Sequence, residues 1–122
     1  MALKNNAVRS GVPPVAAQAL IGGVIDNQTA LGNSQATAFA LIASNTVFTT
    51  VAAGTGAVLR NDMSNGDWQR VSNLGANTLK VYPPVGGTID GGAANASVNV
   101  AAGKATLFVT RDNLNFFSQA GA

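Results

Sequence analysis

Protein chemistry starts from a short list of side chains, and this chain lacks most of them. Its 122 residues contain no His, no Cys and no Glu. A Ser–His–Asp or Cys–His arrangement needs an imidazole beside the nucleophile, so that route is closed. Disulfide staples and the common zinc sites are closed with it. The acids present are Asp26, Asp62, Asp67, Asp90 and Asp112. Paired carboxylates for glycoside hydrolysis would have to be Asp62 with Asp67, or Asp90 with Asp112. Each of these stands beside Gly or Asn, or within a residue of one, as an Asp does in a plain turn. Lys80 and Lys104 sit in strand-and-turn contexts where an ammonium group stays solvated. The expectation is a protein that is not an enzyme and holds no cofactor.

Weaker constellations reduce in the same way. Asn61-Asp62-Met63-Ser64-Asn65-Gly66-Asp67 brings oxygen ligands together but lacks the alternating acids and closing Glu of an EF-hand. It reads as a polar loop, and no metal is expected. The glycine pairs at 22–23, 86–87 and 91–92 do not separate a strand from a helix, so phosphate binding has no support. Asn27-Gln28-Thr29 and Asn95-Ala96-Ser97 match glycosylation sequons. Lys4 and Arg9 are followed by Gly11 and Pro13-Pro14, a poor secretion signal, so the sequons carry little meaning. Trp68, Tyr82, Phe116 and Phe117 admit two uses: a sugar-binding platform, or aromatic core and subunit contact. The second is the commoner use of such residues.

Composition bounds the rest. Apolar residues make up 47%, but aromatics only 6% and charged residues only 10%. Ordinary soluble domains carry about 25% charged residues. So small a charge implies a surface of neutral polar groups, extensive subunit contact, or both. The net charge of +2 rests on seven bases scattered along the chain, with no basic cluster for nucleic acid. No run approaches the roughly 18 apolar residues of a membrane helix.

The elements that would position any site are strands. Asn73–Gly92 sets the grammar: a tight turn at Gly75–Asn77 with left-handed residues, then a strand in which Leu79 and Val81 oppose Lys80 and Tyr82. Pro83-Pro84 stops that strand, because neither offers an N–H, and a glycine-rich corner follows. Elsewhere the patterning predicts strands at Ala16–Ile25, Thr37–Ala43, Asn45–Val51 and Trp68–Asn73. Asp26–Gln35 reads as a loop, and Ala96–Val100 with Ala105–Thr110 as a hairpin. Val51-Ala52-Ala53-Gly54 recurs as Val100-Ala101-Ala102-Gly103, which fits two equivalent hairpins. The expected fold is an all-β, antiparallel β-sandwich of jelly-roll type with seven to nine strands. Its expected core is Phe39, Leu41, Val47, Val58, Val71, Leu79, Val81, Val98, Leu107, Val109 and Phe116. Residues 1–14 read as an extended N-terminal arm and residues 15–122 as a single β domain.

The run Leu79-Lys80-Val81-Tyr82-Pro83-Pro84-Val85-Gly86-Gly87-Thr88-Ile89-Asp90-Gly91, the later Val98–Lys104 and the Phe-rich close resemble small structural proteins of tailed bacteriophages. Val47–Gly56 looks like their upstream half. The resemblance spans roughly Gln35–Ser118 and carries a fold, with no functional residues attached. It implies a virion protein of the capsid decoration (cement) kind, located on the capsid surface. A tail-fibre or tail-tip component, with or without carbohydrate binding, is the alternative. The implied partners are the major capsid protein and further copies of the chain, as a homotrimer, with no nucleic acid and no membrane. Contact residues on this reading are Leu3, Val8 and Val12 in the arm, with Trp68, Tyr82, Pro83 and Pro84 in the domain.

Overall fold

The computed structural model describes residues 24–62, 65–112 and 114–120. Those residues hold ten strands and no helix: β1 Val24–Thr29, β2 Phe39–Ala40, β3 Asn45–Thr50, β4 Gly56–Val58, β5 Trp68–Asn73, β6 Leu79–Tyr82, β7 Thr88–Ile89, β8 Val98–Val100, β9 Lys104–Thr110 and β10 Asn115–Ala120. The all-β expectation holds. The predicted arm, its contact residues Leu3, Val8 and Val12, and most of the predicted strand Ala16–Ile25 lie outside the described residues.

Two sheets face each other, one in the order β1-β3-β5-β9-β10-β7 and the other in the order β2-β4-β6-β8. From β1 to β9 the chain changes sheet at every step. Parallel neighbours need a crossover connection, and here the crossover is a strand of the opposite sheet. Thus β1 with β2, β3 with β4, and β5 with β6 form three stacked coils, parallel within each sheet. The next coil runs backwards, with β8 antiparallel to β6 and β9 antiparallel to β5. β10 then folds back on β9, and β7 joins it in parallel. The sheets are therefore mixed, which corrects the antiparallel expectation. Period-two patterning is the same in both arrangements and does not encode direction.

The recurrent Val-Ala-Ala-Gly motif marks corners between sheets, and the hairpin expected at 96–110 is one of these corners. Ala52 O accepts from Thr55 N–H at 3.1 Å, and Ala101 O from Lys104 N–H at 3.1 Å. The third residue of each turn is a glycine of positive φ, Gly54 at 80° and Gly103 at 78°. An L side chain there would be strained. The hairpin that does form is β9–β10. Its loop is held by Asp112, whose Oδ1 accepts from the N–H groups of Leu114 and Asn115 at 3.0 Å each. At the other predicted turn, neither Gly75 nor Asn77 is left-handed. Gly75 is required by packing, because a Cβ there would lie 2.7 Å from the Val51 side chain.

The core lies between the sheets. Phe48, Val71, Phe108, Phe116 and Ile89 come from the large sheet; Ala57, Leu79, Val81 and Val100 come from the small one. Phe39 packs edge-on against Phe48 with ring centroids 5.3 Å apart. Six expected core residues are only half-buried: Phe39 and Val98, which still pack against the core, and Val47, Val58, Leu107 and Val109. In β3 and β9 both faces are apolar, and the face carrying the Phe turns inward. β4 instead buries Ala57, with Leu59 just beyond it. Strand limits shift as well: β1 runs into the stretch read as a loop, and the strand expected at Thr37–Ala43 shrinks to Phe39–Ala40.

Candidate functional site

The large sheet turns one face inward, and among the described residues no strand packs on the other. Along β5, β9 and β10 the alternate residues Trp68, Arg70, Ala105, Leu107, Val109, Phe117 and Gln119 stand on that outer face, opposite the buried Val71, Phe108 and Phe116. Register aligns three of them in one lateral row, because Val109 pairs with both Trp68 and Phe117. The two rings are thus two strand spacings apart, roughly 10 Å. Trp68 is 45% exposed and Phe117 53%. The next row across the sheet is Val24, Asn45, Arg70, Leu107 and Gln119. Arg70 is its one charge, set among neutral and apolar neighbours. This face offers apolar area and aromatic edges.

The other expected contact residues lie elsewhere. Tyr82 is only 8% exposed, and its ring covers Gly56, where a Cβ would stand 3.0 Å from Tyr82 Cε2. Pro83 is fully buried and Pro84 buried. They follow β6, an interior strand between β4 and β8, so they end a central strand and do not blunt an edge. Pro83 O accepts from Gln35 Nε2–H at 2.7 Å. Of the aromatic group singled out from sequence, the structure brings Trp68 and Phe117 together outside and places Phe116 inside. Patterning alone reads Val109 and Leu107 as core; register places Val109 between the two rings and Leu107 in the next row.

A concavity opens where the parallel strands β2, β4 and β6 end. It encloses about 460 Å³ and is rimmed by exposed Ile42 and Val85, with Arg60 and Asp62 at one side. Arg60 donates from Nε to Asp62 Oδ1 at 2.9 Å and from Nη2 to Oδ2 at 3.0 Å. A third bond runs from Nη1 to Ile42 O at 3.2 Å. The hydrogen bond from Arg60 holds the Asp62 carboxyl below the usual carboxylate range. Beneath them Gln69, fully buried on β5, reaches across to the small-sheet side of the chain. Its Oε1 accepts from Arg60 N–H at 2.8 Å, and its Nε2 donates to Arg60 O at 3.2 Å. Sequence reasoning missed this clip, since a lone Gln in a strand gives no sign of its partner.

Of the polar loop 61–67, Met63 and Ser64 lie outside the described residues. Among the described residues no three acidic, His or Cys side chains group as a metal site, and Asp62 of the polar loop is tied to Arg60. Asn27 and Asn95, the sequon residues, both adopt positive φ. Asn95 Oδ1 accepts from Gly86 N–H at 2.6 Å. No helix among the described residues is long and apolar enough to cross a membrane. The chain matches no family model, no curated protein and no solved structure.

Proposed function

We propose that the protein is a non-enzymatic phage virion structural protein, a decoration or cement protein that binds the outer capsid surface as a homotrimer and stabilises the head. The observation that carries this reading is the outer face of the large sheet, where Trp68, Val109 and Phe117 form an exposed apolar row in a chain with only 10% charged residues. A contiguous apolar patch on a flat sheet marks a protein contact, and exposed Trp and Phe are the residue types that anchor such contacts. The sequence resemblance to small phage structural proteins supplies the partner, a capsid lattice. Threefold lattice points suit a trimer, because three weak contacts act together through high effective concentration. In finer terms the fold is a short two-sheeted solenoid whose last coil is reversed, in place of the expected jelly roll.

The alternative, a tail component that binds carbohydrate, draws on the same two rings, since sugars stack on exposed aromatics. It has less support: Tyr82, the ring expected to complete a groove with Trp68, is buried. The test is a copy-number measurement by quantitative mass spectrometry on purified virions that contain the protein, paired with sedimentation of the free protein. Hundreds of copies and a trimer are expected, and Trp68→Ser with Phe117→Ser should abolish capsid retention while leaving the thermal midpoint within a few degrees. A few to a few tens of copies would move the protein to the tail. Full retention of the double variant would remove the outer face from the contact.

A further inference from the structure

The loop that leads into β5 contains the one Asn-Gly pair in the chain, Asn65-Gly66. Two backbone bonds show why a glycine stands there. Gly66 N–H donates to Thr110 O at 2.8 Å, and Thr110 N–H donates to Asp67 O at 2.8 Å. Gly66 and Asp67 thus both face Thr110, and the next pair along is Trp68 with Val109. Two residues against one make a β-bulge, and its first residue is left-handed, Gly66 at φ 87°. A Cβ at Gly66 would meet nothing within 4 Å, so backbone conformation and not space asks for glycine. The fold therefore installs Asn-Gly for the sake of the bulge, and a reactive dipeptide comes with it.

We infer that Asn65 is a self-acting modification site, converting to aspartate and isoaspartate at a rate held down by the Gly66–Thr110 hydrogen bond. The only co-reactant is water with its hydroxide. The Gly66 nitrogen gives its proton to hydroxide and attacks Asn65 Cγ. The new N–Cγ bond forms, the Cγ–Nδ2 bond breaks, and ammonia leaves with a proton taken from water. The product is a five-membered succinimide. Water then opens the ring at one of its two carbonyls. Attack at Cγ gives an aspartate at position 65. Attack at the main-chain carbonyl carbon gives isoaspartate, in which the main chain runs on through the side-chain carbon.

The structure selects this asparagine from the others. Gly66 has no Cβ to block the approach of its nitrogen, and Asn65, Gly66 and Asp67 are all exposed to water. Asn73, Asn77 and Asn115 instead have their amide groups donating to Val100 O, Val51 O and Asp112. Asp90-Gly91 could close the same ring, but both oxygens of its carboxylate accept from Ser118, one from the N–H and one from the hydroxyl. The restraint on Asn65 is the bulge itself. While Thr110 O holds the Gly66 proton, the nitrogen is not free to lose it, so conversion waits on local opening of this end of the β5–β9 ladder. The consequence falls on the outer face. Conversion lowers the net charge of +2 by one. The iso form also lengthens the main chain by one carbon just ahead of the bulge that leads into Trp68.

The experiment incubates the full chain in warm, mildly alkaline buffer, native and in urea, and follows it by peptide mass spectrometry. Trypsin releases Asn61–Arg70 as one peptide, and fragmentation separates Asn65 from Asn61 within it. In the native protein aspartate and isoaspartate should appear at Asn65 before any other asparagine changes. Urea should raise the rate at Asn65 at least about tenfold, because it removes the bond to Thr110. Another asparagine converting first in the native chain, or no conversion at Asn65 in urea, overturns the site. Equal rates with and without urea overturn the restraint by the bulge. Gly66→Ala is compared in urea, where its effect on folding cannot intrude, and should slow conversion at Asn65 several-fold; an unchanged rate would show that the nitrogen of residue 66 is not the attacking atom. None of these readouts involves a capsid, so their failure leaves the decoration reading to stand or fall by its own test.

Discussion

Replacing Gln69 by Leu should cost far more than its modest place in the sequence suggests. The side chain is completely buried and makes two hydrogen bonds, both to the backbone of Arg60, one accepted at 2.8 Å and one donated at 3.2 Å. Leu keeps the volume and improves transfer from water, so no cavity term enters. What changes is that Arg60 loses partners for its N–H and its C=O. A buried backbone group left unpaired costs about 1–3 kcal/mol, and Arg60 is only partly covered, so water satisfies some of that demand. The working figure is about 2–3 kcal/mol, or a fall of roughly 10 °C in thermal midpoint for a chain of this size. Urea unfolding at neutral pH, followed by Trp68 fluorescence, measures it. Gln119→Leu, an exposed position on the same sheet, is the control and should change little. A loss below about 0.5 kcal/mol for Gln69→Leu would show that the amide does not clip the two sheets together, and the account of the 460 Å³ cleft wall would fall with it.

Three further outcomes follow from the same packing. Phe48→Ala removes a fully buried ring and its edge contact with Phe39, and should lose about 3–5 kcal/mol by urea unfolding, whereas Val47→Thr on the opposite face should stay within about 1 kcal/mol. Thr46 is buried and its hydroxyl finds no hydrogen-bond partner among the described residues, so Thr46→Val should be neutral or stabilising by up to about 1 kcal/mol on the same assay. Asp62 has its carboxyl held below the ordinary range by Arg60, so the folded state keeps it ionised while the unfolded chain takes up a proton. Its contribution is present above the unfolded value and fades as pH drops below roughly 4. The pair is largely solvent-exposed, so Asp62→Asn should lower the midpoint by less than about 1 kcal/mol equivalent at pH 7, with the difference shrinking by pH 3.

The strands were legible wherever alternation met a turn. Leu79–Tyr82 begins and ends as patterning requires, because Leu79 and Val81 alternate and Pro83 has no N–H to continue the ladder. Direction was not legible: a strand patterned for one buried face pairs equally well either way, and only the position of its neighbour decides. The inward face was ambiguous wherever both faces are apolar. In Thr46-Val47-Phe48 and Leu107-Phe108-Val109 a β-branched or aliphatic residue competes with a ring, and the ring claims the interior. The outer face suffers from the same ambiguity, since Val109 looks like core until register sets Trp68 and Phe117 on either side of it, and Leu107 until register sets it between Arg70 and Gln119. Polar clips were the least legible. Asn73 is fully buried and donates from Nδ2 to Asn77 O at 2.8 Å and to Val100 O at 3.0 Å, while its Oδ1 accepts from Gly75 N–H at 2.9 Å. Nothing in the local sequence separates it from a solvated loop Asn.

These buried amides explain how so thin a core holds two sheets together. Small side chains bring the sheets close, and close sheets bury the backbone of every corner between them. A buried corner must find hydrogen-bond partners, and a short amide side chain from the facing strand supplies an acceptor and two donors at once. Gln69 does this where the chain leaves β4, and Asn73 does it at the turn between β5 and β6 and again at Val100. Asn77, an exposed residue of the turn between β5 and β6, also braces a corner by donating from Nδ2 to Val51 O at 2.8 Å. The scarcity of charge then has a source that needs no subunit contact. A chain that spends Asn and Gln on its interior corners and leaves one sheet face apolar has few positions left where a charge would be both exposed and useful. That arrangement ties the 10% of charged residues to the winding itself.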